Sequence, residues 1–309
     1  MGQYCSCFFK NNTKHEQYIN QLFDPTIDFN DLPIIKKIAL KLPHGTHYIE
    51  YFDELKSFIK YDNINVFIKK LYFGKDIKNF IVYNDDTHKI GNTHTKKGHC
   101  KGILTWNNNK ISFLCHSIPN FPKEFNYGYI SDIEESELIY GQSLMFIEFN
   151  YDEQLLNNII NAIYHMDPHI YIESEKHNIT KLPKIESIIT VKISDNITYI
   201  VKSPNIHIDI YSEYICTCKE YNSLHLYVET WQRGHHIENN CSNITDIKKL
   251  KFEEIEYNES QDHSKWSFSE NYFTIGDLNR MTSQYQRGGG LLLCNDKNVA
   301  SSLQKLVVI

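Results

Sequence analysis

The chain has 309 residues, of which 41% are hydrophobic, with 21 tyrosines and 17 phenylalanines; this excludes a disordered polymer and leaves room for one large core or two packed halves. No apolar run is long enough to cross a bilayer as a helix. The formal charge of -6 at pH 7 is unfavourable for binding a polyanion at neutral pH, yet the 15 histidines are numerous enough to reverse its sign in acid.

The N-terminus lacks the charged, apolar and small-residue order of a secretory signal. Met1-Gly2-Gln3-Tyr4-Cys5-Ser6 instead fits myristoylation at Gly2, with Cys5 and Cys7 available for palmitoylation as a second anchor. Membrane association through an N-terminal lipid is therefore one expectation, with a location in the cytoplasm or on the cytoplasmic face of a membrane; an acidic vacuole or lysosome is the alternative. Residues 1–32 read as a polar leader. The chain then alternates: a strand over Ile35–Leu42, a helix over Ile49–Tyr61, and strands over Val66–Tyr72 and Phe80–Tyr83.

His99-Cys100-Lys101-Gly102 opens a further strand, where Gly102 either lets a phosphate approach the backbone or marks a bend. Ile111–His116 follows three asparagines and reads as the return strand of a hairpin, carrying His116 back toward His99. Tyr140-Gly141-Gln142 leads into a strand over Ser143–Phe149, and Tyr151–Tyr164 is an amphipathic helix stopped by Asp167-Pro168. The alternating runs 189–193 and 199–202 flank Asp195-Asn196 as a hairpin. Cys216, Cys218, His235, His236 and Cys241 are zinc-ligating types, but Cys-x-Cys is not the usual knuckle spacing, so reduced thiols are expected and no metal.

Asp262-His263-Ser264-Lys265-Trp266 repeats the His-x-Lys spacing. In an extended strand His263 and Lys265 share one face while Ser264 and Trp266 share the other. Two such pairs supply what metal-free phosphodiester cleavage needs: one imidazole to attack phosphorus, one to protonate the leaving oxygen, and two ammoniums to neutralise the equatorial oxygens. In Gly276-Asp277-Leu278-Asn279-Arg280, Asp277 can fix a histidine tautomer and Asn279 can bond a phosphate or orient His263; both types equally stabilise turns. Gln286-Arg287-Gly288-Gly289-Gly290 is either a phosphate-binding loop or a tight packing turn. A closing helix spans Asp296–Val307.

With Leu42-Pro43, Tyr83-Asn84-Asp85, His116-Ser117-Ile118-Pro119-Asn120-Phe121-Pro122 and Tyr140-Gly141-Gln142, these segments follow one another in the order of the deoxyribonuclease II (acid DNase) family, which the chain resembles from about residue 40 to its end. The resemblance implies an α/β, phospholipase D-like fold of two pseudo-symmetric halves, 33–150 and 151–309, with mixed sheets flanked by helices and the site at the central cleft. It implies an endonuclease that hydrolyses DNA without a cofactor and leaves 3′-phosphate ends through a phosphohistidine. His99, Lys101, His263 and Lys265 are the implied catalytic set, and the residues leave open which histidine attacks. His116, Asn120, Asp277 and Asn279 are implied in support, and Arg280, Arg287 and Gly288 in binding phosphate or DNA. DNA is the expected partner, and a dimer is compatible with the sequence.

Cys241 and Cys294 fall where the family carries disulfide cysteines, but Ile275 stands at one expected partner position. This fits a reducing compartment and unused glycosylation at Asn178, Asn196 and Asn243. Two other functions share these motifs: an inactive DNA-binding or structural relative, and a lipid phosphodiesterase on the same scaffold.

Overall fold

The computed structural model describes residues 34–86, 96–174, 186–218, 225–231 and 242–308. The leader, its lipid sites at Gly2, Cys5 and Cys7, the sequon at Asn178, and His235, His236 and Cys241 lie outside these residues.

The described chain is an α/β fold built on two sheets. The first takes β1 (Ile35–Lys41), β2 (Tyr48–Phe52), β3 (Ser57–Tyr61), β4 (Asn79–Asn84), β5 (Lys101–Trp106) and β6 (Lys110–His116). The two-residue pair β7 (Phe125–Asn126) and β8 (Tyr129–Ile130) forms a small ribbon, after which β9 (Gln142–Asn150) and β10 (Ile170–Glu173) return to the first sheet. Its spatial order is β10-β4-β5-β6-β9-β1-β2-β3, with every neighbouring pair antiparallel. The second sheet draws on β11 (Ile188–Ser194), β12 (Ile197–Lys202), β13 (Leu226–Glu229) and β14 (Ile244–Asp246). A ribbon of β15 (Lys249–Phe252) and β16 (Ile255–Asn258) intervenes before β17 (Trp266–Phe268), β18 (Tyr272–Gly276) and β19 (Gly289–Asn295). The order is β11-β12-β19-β18-β17-β13-β14, and only β13 and β14 run parallel among the described strands.

The sheets pack face to face through one apolar layer that includes Phe113, Met145, Tyr199, Ile275 and Leu292. Phe113 meets Tyr199 edge-on at 5.3 Å between ring centres. Helix α1 (Ile64–Tyr72) covers the outer face of the first sheet, and the π-helical segment Ile210–Ile215 covers that of the second. The one-turn helix α2 (Glu135–Leu138) precedes β9, while α3 (Glu153–His165) packs on β11 and β12 and α4 (Lys297–Gln304) closes the chain. Both faces are covered, so β5, β6 and β9 are buried almost throughout rather than on alternate residues.

Two sequence expectations are corrected. The helix expected over Ile49–Tyr61 is the β2–β3 hairpin, in which Tyr48 pairs with Tyr61 and Phe52 with Ser57 across a turn at 53–56. Lys56 takes a positive φ of 50° there, and Tyr51 and Phe58 meet edge-on at 5.6 Å. The strand expected over Val66–Tyr72 is α1, capped by the Asn63 side chain accepting from the Asn65 amide. Its buried residues Ile64, Phe67, Ile68, Leu71 and Tyr72 follow the helical period. Isoleucine and phenylalanine favour strands intrinsically, but burial of this stripe against the sheet outweighs that preference. The hairpins β5–β6 and β11–β12, the strands β1 and β9, and helices α3 and α4 match their expected places.

Candidate active site

The two His-x-Lys motifs enter the first strands beside the sheet–sheet interface, β5 and β17, and each is received by backbone of the opposite sheet. The His99 amide donates to the Gly288 carbonyl at 2.7 Å, and the His263 amide donates to the Gly141 carbonyl at 2.8 Å. Both acceptors are glycines in crowded places: a Cβ on Gly288 would lie 2.2 Å from the Met166 carbonyl oxygen, and one on Gly141 would lie 2.5 Å from an Asp262 oxygen. Gly288 thus serves close packing and supplies a carbonyl to His99.

His99 is buried, and its Nδ1 lies within hydrogen-bond reach of the Asp277 carbonyl oxygen. A carbonyl can only accept, so Nδ1 carries the proton and Nε2 keeps its lone pair. Burial, followed by the Lys101 ammonium, holds this imidazole well below its ordinary value, against the opposing pull of Asp85. The result is a neutral imidazole in one tautomer. The Asp277 carboxylate joins two strands: one oxygen accepts the Gly290 amide at 2.9 Å and the other the Lys101 amide at 3.2 Å. Burial pushes Asp277 up to about 7 against the pull of the Gly290 amide and Lys101.

The sequence reading passed over Asp85, which is buried at the centre of the cations. It pairs with Lys101 through one oxygen and with the Arg287 guanidinium at 2.7 Å through the other. Although burial opposes ionisation, Lys101 and Arg287 keep this carboxyl well below the usual carboxylate range. Arg287 also donates to the Lys97 carbonyl at 2.8 Å, so it braces the His99 turn as well as offering charge. Asp85→Ala is expected to destabilise the fold by roughly 3–5 kcal/mol, because two cations lose their shared anion inside the protein. Urea denaturation of the variant checks this, and an unchanged midpoint contradicts it.

On the other side, the His263 ring stacks on Tyr140 at 4.0 Å and 10°, and the Trp231 ring meets it edge-on at 4.0 Å. Asp262 and Ser264 bond one another through the Ser264 amide at 2.8 Å, as residues two apart on an extended chain can. Lys265 is buried, its ammonium on the His263 carbonyl and its amide donating to the Ser143 hydroxyl at 3.0 Å. Burial, then Lys101, lowers Lys265 to about 7, with Asp262, Asp85 and Asp277 opposing. The Lys101 ammonium is among the causes that lower Lys265, so the two lysines stand near enough for their charges to interact.

The supporting set divides. His116 lies fully buried at the end of β6, where Nδ1 accepts the Ile118 amide at 3.2 Å and the ring edge meets Phe121. Burial, then Lys101, lowers it to about 3, so it stays neutral with its proton on Nε2, which has no hydrogen-bond partner among the described residues. Asn120 has a positive φ of 51° and donates to Glu137 at 3.4 Å. Asn84 ties the same turn by donating to the carbonyls of Ile118 and Phe121. Asn279 donates to Gln284 at 2.8 Å, and its buried oxygen has no partner among the described residues. Arg280 was expected to bind phosphate; its guanidinium is buried instead between Asp209, at 2.9 Å, and Asp246, where it clamps the π-helical segment to β14.

Among the described residues, no group of three or more His, Cys, Asp or Glu is placed to hold a metal ion. Cys100, Cys115 and Cys294 are free, buried thiols, and Cys216 and Cys218 are likewise buried. Tyr140, Trp231, Lys41 and Asp85 are site neighbours to which sequence reasoning gave no role. Asp85 and Tyr140 stood in quoted segments, whereas nothing local marked Trp231 or Lys41.

The deoxyribonuclease II family model matches residues 59–309. Deoxyribonuclease-2-beta of Homo sapiens is 31% identical over 254 residues, covering 74% of this chain and 69% of that protein. The Rattus norvegicus deoxyribonuclease-2-beta is 29% identical over 268 residues, covering 78% and 74%. Deoxyribonuclease-2 of Caenorhabditis elegans is 28% identical over 234 residues, covering 68% and 60%.

Proposed function

The chain belongs to the deoxyribonuclease II family, and we propose that this hydrolase is a DNA endonuclease that cuts phosphodiester bonds without a metal ion and leaves 3′-phosphate ends. The observation that carries this reading is the exchange of backbone between the motifs, with His99 resting on Gly288 and His263 on Gly141. It ties each His-x-Lys motif to backbone from the other half of the chain, which supports their acting together on one phosphate.

In the proposed reaction, Nε2 of neutral His99 attacks phosphorus and forms a P–N bond. The bond to the 5′ oxygen breaks, and His263 gives that oxygen its proton. Water then attacks the phosphohistidine, giving a proton to His263, and leaves as part of a 3′-phosphate while His99 is restored. Lys101 and Lys265 neutralise the equatorial oxygens as charge builds. The choice of His99 as nucleophile is supported by its burial and its Nδ1 contact with the Asp277 carbonyl, and that of His263 as proton donor by its stacking on Tyr140. The matched motifs also support a phospholipase D-like arrangement of halves 33–150 and 151–309, with β10 reaching back into the first sheet.

Supercoiled plasmid in excess EDTA, from about pH 4 to about pH 8, tests the proposal. Nicking is expected, with 3′ ends that a polymerase extends only after phosphatase treatment. EDTA-sensitive cleavage, or ends extended without phosphatase, contradicts it. Folded protein that binds DNA without nicking it points to an inactive relative.

A further inference from the structure

Lys41 and Lys202 are only 1% and 2% exposed, yet neither belongs to a His-x-Lys motif. Each turns its ammonium onto backbone carbonyls. Lys41 donates to Leu42 at 2.8 Å, Leu138 at 2.7 Å and Tyr140 at 2.6 Å. Lys202 donates to Ile208 at 3.1 Å, Ile206 at 3.4 Å and Tyr285. An ammonium has three N–H groups and no acceptor, so three carbonyls saturate it. Burying a cation is costly, and no packing requirement for an apolar core calls for one here.

The two lysines occupy matching register positions. Lys41 ends β1 opposite Gln142, the first residue of β9, and Lys202 ends β12 opposite Gly289, the first residue of β19. The segments they hold are the ones that receive the histidines. Tyr140, bound through its carbonyl by Lys41, stacks its ring on His263, and the next residue, Gly141, accepts the His263 amide. Tyr285, bound by Lys202, begins the segment in which Arg287 pairs with Asp85 and Gly288 accepts the His99 amide.

We propose that Lys41 and Lys202 are positioning residues that act crosswise: Lys41 sets His263, and Lys202 sets His99, each by holding the backbone on which the opposite motif rests. The inference rests on the two-histidine reading above, in which His99 attacks and His263 protonates the leaving oxygen. Displacing a reacting group by about 1 Å can cost on the order of 10²-fold, and each lysine should therefore affect a different half of the chemistry.

Two substrates separate the halves. Cleavage of DNA needs both histidines, whereas bis(p-nitrophenyl) phosphate loses its leaving group as a stable anion and needs the nucleophile alone for the first release. Full-length Lys41→Met is expected to nick DNA at least about tenfold more slowly while keeping its pre-steady-state burst of p-nitrophenol. Lys202→Met is expected to lose both by a similar factor. His99→Ala is the control for the underlying reading and must lose both reactions. If it does not, that reading fails; if it does, and Lys41→Met loses the burst as severely as DNA nicking, or Lys202→Met keeps the burst, or neither variant slows DNA nicking, the crosswise positioning is overturned. Thermal melting identifies a variant that fails to fold. In that event Lys41→Gln and Lys202→Gln, which keep two N–H donors without the charge, are read by the same two substrates.

Discussion

Replacing His99 with alanine is expected to reduce metal-independent DNA cleavage by on the order of 10⁴-fold or more, the scale of losing a covalent nucleophile. The expectation comes from the way the ring is held. Its Nδ1 proton is directed at the Asp277 carbonyl, and its amide is tied to Gly288. No described neighbour offers a second imidazole in that place: His116 is sealed below the surface with Nδ1 engaged by Ile118. Single-turnover nicking of plasmid by purified His99→Ala, with melting temperature as the folding control, measures the effect. A loss below about tenfold would show that His99 is not the attacking group.

The second large effect concerns the proton. His263→Ala is expected to cost about 10²–10⁴-fold in DNA cleavage, the range of a general acid, because the 5′ oxygen is a poor leaving group without a proton. The two histidines should also separate in a pH–rate profile of kcat/KM. His99 must be unprotonated to attack, and burial together with Lys101 depresses its ionisation. The acid limb should accordingly lie below the ordinary imidazole range, and activity should persist as pH falls through that range. The alkaline limb, where the proton donor is lost, should disappear in His263→Ala. An acid limb at the unperturbed imidazole value would contradict a buried, neutral nucleophile. Under the proposed mechanism, desolvation of His99 would be a local cause for the acid activity the family resemblance implies.

Much of this site was legible along the chain because its chemistry is carried by short segments. His99-x-Lys101 and His263-x-Lys265 each place two groups two residues apart, and a strand puts such residues on one side. The glycines at 141 and 288 lay inside recognisable segments, but their use was not visible. They permit close backbone approach and offer carbonyls to the histidines, which is a property of two segments meeting rather than of either one. Arg280 and Arg287 show the same limit. Both are arginines beside turns, and only their carboxylate partners distinguish a buried clamp on Asp209 and Asp246 from a brace at Asp85.

The sequence by itself determined the local alternation that makes β1, β5, β6, β9 and β11–β12, the helices α3 and α4, the two His-x-Lys motifs and the family. Those signals are short-range, arising from side-chain period and turn chemistry within a few residues. Tertiary structure decided whether residues 49–61 and 66–72 were strand or helix, since both contain strand formers at spacings that burial must arbitrate. It also decided that His99 is buried against the Asp277 carbonyl, where Asp85 and Lys41 stand, and that each motif is received by backbone of the opposite half. The bonds from His99 to Gly288 and from His263 to Gly141 join residues more than a hundred positions apart, and, like the desolvation of His99, they exist only once the two sheets have closed on each other.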